Sequence, residues 1–207
     1  MTRNRLLLVQ TGTPPTAIRQ AHGDLPRWFR TLLAPWQTQR PTVRGGEEVP
    51  LPTPYNQTIA VLTGAGAMVT DRLAWSERTA DWIRQAVAID MPLFGVCYGH
   101  QLMAHALGGE VAYHPGGRES GSQTITLSPW GIDAPLLSGL PATFPAHLSH
   151  LQTVTRLPEG ATVLAASSHD PHQIVRYGPH AVSTQFHSEF TAPIARSLIR
   201  HREAVLQ

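Results

Sequence analysis

The sequence has no lysine: all 16 of its Lys+Arg positions are arginine. That excludes a Schiff-base lysine and the lysine of a Walker A phosphate loop. One cysteine among 207 residues rules out an internal disulfide, so a reducing cytoplasm is the expected setting. Charge is scarce as well, at 14% of residues with a net charge of +2. No basic run marks a nucleic-acid groove, and the apolar run from Leu6 to Val9 is far too short for a membrane span or a signal segment. Neither nucleic acid nor a membrane is an expected partner. What is present is an apolar fraction of 42% and 18 prolines, the composition of a globular chain with many rigid loops. The length predicts one domain over residues 1–207 with room for a sizeable core.

The lone cysteine sits in the most informative stretch, Pro92-Leu93-Phe94-Gly95-Val96-Cys97-Tyr98-Gly99-His100-Gln101. Apolar residues lead in and a helical pattern leads out. Gly95 and Gly99 flank Cys97 two residues away on each side, the frame of a strand-turn-helix elbow with Cys as the nucleophile. A residue at the tip of so tight a turn is strained, and its neighbours must lack a Cβ for strand and helix to pass closely. The side chain is then held at the positive end of a helix, which favours the thiolate. A lone Cys after an apolar run is also a common buried hydrophobe, so a base and an orienting acid must come from elsewhere in the chain.

Arg5–Gln10, Ile59–Leu62 and Leu93–Val96 read as fully buried strands. A helix after Asp24, which serves as its N-cap, a helix over 72–89 and the elbow helix to Leu107 alternate with them. Pro35 to Gln57 reads as loop with one strand near Val43. The second half holds short strands at 111–113, 123–127, 162–166, 173–177 and 181–186, and the chain closes in a helix over 192–205. The expected fold is an α/β three-layer sandwich: a central, mostly parallel sheet, helices on both faces, and a mixed or antiparallel extension in the second half.

His187 and Glu189 lie two apart at the end of the last strand, a spacing that puts both on one face. A His beside a thiol can take its proton, and a carboxylate can fix the imidazole tautomer and stabilise its cation. Gly95-Val96-Cys97-Tyr98-Gly99-His100-Gln101, followed about ninety residues later by Gln185-Phe186-His187-Ser188-Glu189, resembles the class I glutamine amidotransferases. The likeness is greatest to free-standing relatives of the GMP synthase glutaminase domain. It implies a cysteine-dependent glutaminase in which Cys97 is the nucleophile, His187 the base and acid, and Glu189 its orienting partner, acting through a γ-glutamyl thioester.

The resemblance also implies roles for other residues. The family's Ser-Gly-Gly-Pro loop falls on Thr63-Gly64-Ala65-Gly66, so that the backbone N–H groups of Ala65 and Tyr98 form an oxyanion hole. Gly66 in place of Pro makes that loop looser. Gly64, Gln101, Ser149 and His150 are implied in substrate binding, the last two through the loop Ser149–Val154, where Gln152 replaces the family's Asp. His169-Asp170-Pro171-His172 reads as a turn, His100 and His105 as packing or hydrogen-bonding residues, and Arg118 and Glu119 as structural charges. No metal and no cofactor is expected. The implied substrate is glutamine or another γ-glutamyl small molecule, with ammonia passing to an acceptor or a synthetase partner protein. Two other readings stay open: a γ-glutamyl peptidase of the same fold, and a non-catalytic module that binds a partner.

Overall fold

The computed structural model describes residues 5–34, 42–44 and 50–206. In chain order the elements are β1 (Arg5–Gln10), α1 (Thr16–His22), α2 (Leu25–Leu32), β2 (Thr42–Arg44), β3 (Thr58–Leu62), α3 (Ala74–Ala88), β4 (Leu93–Val96), α4 (Tyr98–Ala106), β5 (Glu110–Tyr113), β6 (Glu119–Leu127), α5 (Pro129–Ile132), β7 (Thr143–His150), β8 (Gln152–Arg156), β9 (Thr162–Ala166), β10 (Ile174–Arg176), β11 (Ala181–Thr184) and α6 (Ala192–Leu206). The loop expected over 35–57 falls outside the described residues at 35–41 and 45–49.

A nine-stranded sheet runs in the order β2-β1-β3-β4-β11-β10-β9-β6-β7. Its first five strands pair in parallel and the rest pair antiparallel. The apolar runs of β1 and β3 are buried on both faces because helices cover both. Leu7, Val9 and Leu62 point towards Ile83 of α3 and Leu102 of α4. Leu8 and Val61 point the other way, towards Phe29 of α2. On that second side Ile18, Leu25 and Trp28 pack against Ile194 and Leu198 of α6. The architecture is therefore the expected α/β sandwich with an antiparallel extension, whose own core gathers Ile125, Leu148, Leu164 and Ile174. Among the described residues no helix is long and apolar enough to cross a membrane.

Asp24 caps α2 as expected, its carboxylate accepting from the Leu25 N–H at 2.8 Å. Other features depart from the sequence reading. Helix α1 was not anticipated; Ile18 is its only buried residue, so no apolar stripe announces it. Ser149–Val154 is not a loop. It is the end of β7, a single linking residue, and the start of β8, which pairs with β5 in a separate two-stranded sheet. The last strand stops at Thr184, short of Phe186, so His187 and Glu189 stand in the turn that follows.

The elbow joins β4 to α4. A Cβ on Gly99 would lie 2.7 Å from the Leu62 carbonyl oxygen of β3, and one on Gly95 would lie 2.7 Å from the Gly99 carbonyl. Both obstacles are backbone and cannot rotate away. Gly99→Ala should therefore destabilise the fold by about 1–3 kcal/mol or more, read as a lower midpoint in urea unfolding. An unchanged midpoint would mean that β3 and α4 do not pass as closely as described.

Candidate active site

Parallel pairing places the site. The register sets Thr184 of β11 beside Val96 of β4 and Leu62 of β3 beside Gly95, so the carboxyl ends of three neighbouring strands open onto one spot. From these ends come Cys97, the turn carrying His187, and the loop Thr63–Gly66. Such ends are where open α/β sheets bind ligands.

Cys97 has φ 52° and ψ −99°, a positive φ that a non-glycine residue adopts only where its surroundings hold it. Its backbone N–H donates to the Thr184 carbonyl at 2.9 Å, and its carbonyl accepts from the Gln101 N–H at 3.1 Å. Cys97 is 6% exposed. Burial alone would raise its pKa, but the charge of His187 and hydrogen bonding to its ring, helped by the charge of His150, bring it below the ordinary thiol value.

His187 is held on several sides. Its Nδ1 donates to Glu189 Oε1 at 2.7 Å, which leaves Nε2 for the thiol. The Phe190 ring stacks on the imidazole with centroids 3.9 Å apart and planes 5° from parallel, and Trp28 meets Phe190 edge-on. A Cβ on Gly64 would lie 3.1 Å from His187 Cε1, so this glycine forms the wall opposite. Burial pushes the imidazole pKa down, yet the charges of Glu189 and Cys97 outweigh it and raise the value to about 10. Ser188, between two buried residues, is exposed. One side of the turn therefore faces the thiol and the other faces water.

The loop after β3 is clamped from behind. Thr11, just past β1, donates its hydroxyl to the Thr63 carbonyl at 2.8 Å and lies 3.2 Å from the Gly64 carbonyl. Gly99 N–H donates to the Thr63 carbonyl from the far side. Among the described residues the N–H groups of Ala65 and Tyr98 have no protein acceptor. The Tyr98 side chain points away and bonds Ser76 of α3 at 2.7 Å, so only its backbone can serve the site.

Two clefts meet at Cys97. One, about 90 Å³, includes Gln101, Arg118, Ser149, His150 and Gln152 in its wall. The other, about 140 Å³, lies on the His187 side. Gln101 spends its amide nitrogen on the Gln152 carbonyl (2.6 Å) and on Gln185 Oε1 (2.9 Å). Gln152 in turn accepts from the Val69 N–H and donates to Thr70, so it braces the turn at 69–71.

His150, expected as a substrate contact, borders the smaller cleft and also belongs to a buried ion pair. Its Nε2 lies 2.8 Å from Glu119 Oε2 and its Nδ1 lies 2.9 Å from the Gln152 carbonyl. The carbonyl can only accept, so Nδ1 carries a proton. Glu119 also accepts from Ser167 Oγ at 2.6 Å and from Gln173 Nε2 at 2.8 Å, the surroundings of an ionised carboxylate. Nε2 therefore carries a proton too, and His150 is a buried cation. Burial lowers its pKa, but the Glu119 hydrogen bond and the Gln152 carbonyl raise it overall. Such a group cannot accept a proton.

Oxygens of Glu119 and Asp170 and a His150 nitrogen lie within 4.8 Å of one another, a spacing a metal could use. The Glu119 and His150 atoms are spent on each other and on their neighbours, so the cluster reads as an ion-pair network. His100 is buried, bonds Ser183 through Nδ1, and is held neutral by burial, which takes its pKa down to about 3.

The model of the class I glutamine amidotransferase family matches residues 49–202. The chain belongs to the class I glutamine amidotransferases. The GMP synthase (glutamine-hydrolysing) of Thermosipho africanus is 31% identical over 160 residues, 77% of this chain but 28% of that protein. The chain thus spans little more than a quarter of that synthase. The glutamine amidotransferase-like protein YfeJ of Salmonella typhimurium is 38% identical over 127 residues, 60% of this chain and 51% of that one. Among solved structures, a glutamine amidotransferase of Thermotoga maritima superposes with a TM-score of 0.80 at 21% identity, covering 98% of this chain and 84% of that one. One from Methylobacillus flagellatus gives 0.79 at 24% identity, covering 96% and 76%. At these identities the two structures show a shared fold.

Proposed function

We propose that this class I amidotransferase domain is a cysteine-dependent amidohydrolase that cleaves the γ-amide of glutamine or a related γ-glutamyl compound. The observation that carries the reading is the strained Cys97 under the imidazole of His187, whose far nitrogen is held by Glu189 at 2.7 Å. The Cys97 thiolate attacks the γ-carbonyl carbon. The N–H groups of Ala65 and Tyr98 stabilise the resulting oxyanion. The His187 imidazolium protonates the departing nitrogen as the C–N bond breaks, and a γ-glutamyl thioester remains. Water, activated by the now neutral His187, hydrolyses the thioester to glutamate and regenerates the thiol. Gln101, Ser149 and His150 line the acyl side of the substrate, and Gly64 lines the side facing His187. Released ammonia passes to an acceptor or a synthetase partner. A cytoplasmic setting, which keeps a lone thiol reduced, fits this chemistry. Assaying a panel of γ-glutamyl amides for released ammonia or amine tests the reading, and turnover of none would sink it.

The depressed thiol and the raised imidazole set a pH profile. As pH falls through the lowered Cys97 pKa the thiolate is protonated, and both turnover and alkylation are lost. As pH rises through the His187 value of about 10 the proton donor is lost, so turnover falls while alkylation persists. Alkylation of Cys97 should therefore set in at lower pH than that of an ordinary thiol. A rate that climbs with pH up to the ordinary thiol range would contradict the ion pair.

Glu189→Gln removes the charge that helps to raise the His187 pKa. The alkaline limb of kcat/KM should move to lower pH. Turnover should fall by less than the roughly hundredfold lower bound for a general base, because Phe190 still holds the ring. An unmoved limb would show that Glu189 does not act on His187.

A further inference from the structure

The walls of the two clefts carry arginines with no carboxylate to meet them. Among the described lining residues of both there is no Asp or Glu, while Arg118 borders the smaller cleft and Arg202 of α6 borders both. Arg202 is half-buried, and its Nη1 has no hydrogen-bond partner among the described residues. A cation at a cleft wall with an unmatched donor favours an anion that arrives with a ligand.

The clefts differ in what they can hold. His187, which hands its proton to the departing nitrogen, lines only the larger one, so the leaving group points there. Ammonia needs little of about 140 Å³ and none of the apolar wall formed by Leu25, Trp28, Phe190 and Leu198. The α-carboxylate of a γ-glutamyl group belongs in the smaller cleft, where Arg118 stands. That leaves Arg202 for a second carboxylate.

We propose that the larger cleft is a leaving-group site for an amino acid, its free carboxylate on Arg202 and its small apolar side chain against Trp28 and Leu198. The substrate class is then γ-glutamyl amino acids. The inference rests on the reading that Cys97 takes up the γ-glutamyl group. Cys97 sulfur bonds the γ-carbon, the C–N bond breaks, and the amino acid leaves with a proton from His187. Water then converts the thioester to glutamate and free thiol, with no oxidant or cofactor consumed.

The test uses the purified full chain on γ-glutamyl-valine, γ-glutamyl-valinamide and glutamine, following released valine, valinamide or ammonia. The free acid should exceed the amide in kcat/KM by at least about tenfold, the low end for losing a hydrogen bond to a charged group, and should exceed glutamine. In Arg202→Gln the ratio of acid to amide should fall to about one, and Arg202→Lys should keep part of it. Equal rates on acid and amide, glutamine as the fastest substrate, or a ratio unmoved in Arg202→Gln would each overturn the site. The comparison on the native chain holds even if a variant fails to fold. No turnover of any of the three, with Cys97 still alkylated by a glutamine-like chloroketone, overturns the leaving-group site alone. Absence of both turnover and labelling overturns the catalytic reading, and this site with it.

Discussion

Cys97→Ala should leave no amide hydrolysis above background and no site for a glutamine-like electrophile, with the fold intact. The chain holds no other thiol that could substitute. Alanine keeps the same Cβ at the same positive φ, so the strain at the elbow is unchanged and nothing in the packing is lost beyond one sulfur. Unfolding curves of the native chain and the variant should therefore lie close together, which separates lost chemistry from lost structure. Cys97→Ser is the sharper form of the test. It keeps a nucleophilic atom at nearly the same place, but a hydroxyl is a far weaker acid than a thiol and does not form an ion pair with His187 at neutral pH. The loss in kcat should still be on the order of 10⁴-fold or more, as for removing the nucleophile of a cooperative triad. Unchanged turnover in Cys97→Ala would remove the nucleophile, and with it the whole proposed mechanism.

The parts of this site that were legible in the sequence are those encoded by local rules. Leu6 to Val9 and Ile59 to Leu62 announce buried parallel strands because helices cover both faces and no alternation is needed. Gly95 and Gly99 announce the elbow because the backbone of α4 at the first and of β3 at the second leaves no room for a Cβ. The parts that were not legible depend on pairing register. Glu119 and His150 are 31 residues apart in the chain, and they meet because β6 and β7 run antiparallel with these two directly opposite. β7 itself gives little signal, with Pro145 and two histidines in a mostly half-exposed strand. Arg118 and Arg202 likewise come to one site from the start of β6 and the last helix, through a fold no local pattern specifies. The missing loop proline is a related case. Gly66 suggests a loose oxyanion loop, and Thr11, just past β1, restrains the start of that loop through space by hydrogen bonds to the Thr63 and Gly64 carbonyls.

His187→Asn should lower kcat by at least about a hundredfold, the lower end of a general-base contribution. The sequence alone leaves His150 as a candidate to take over, since it too lies in a segment resembling the family's substrate loop. The structure removes that alternative: both of its ring nitrogens are engaged, one by the Gln152 carbonyl and one by the Glu119 carboxylate, in a fully buried setting. A doubly protonated ring has no lone pair to offer the thiol. Its charge still favours the thiolate, so some alkylation should survive in the variant. What should change is the pH at which alkylation appears. Without the His187 cation, burial of Cys97 is opposed only by the weaker effect of His150, and the thiol should titrate at higher pH than in the native chain. The experiment is alkylation by a glutamine chloroketone as a function of pH, set beside steady-state turnover on the same preparations. A native-like alkylation profile together with native turnover would dismiss His187 as the base. A displaced profile with turnover lost would tie both the ion pair and the proton transfer to this one ring.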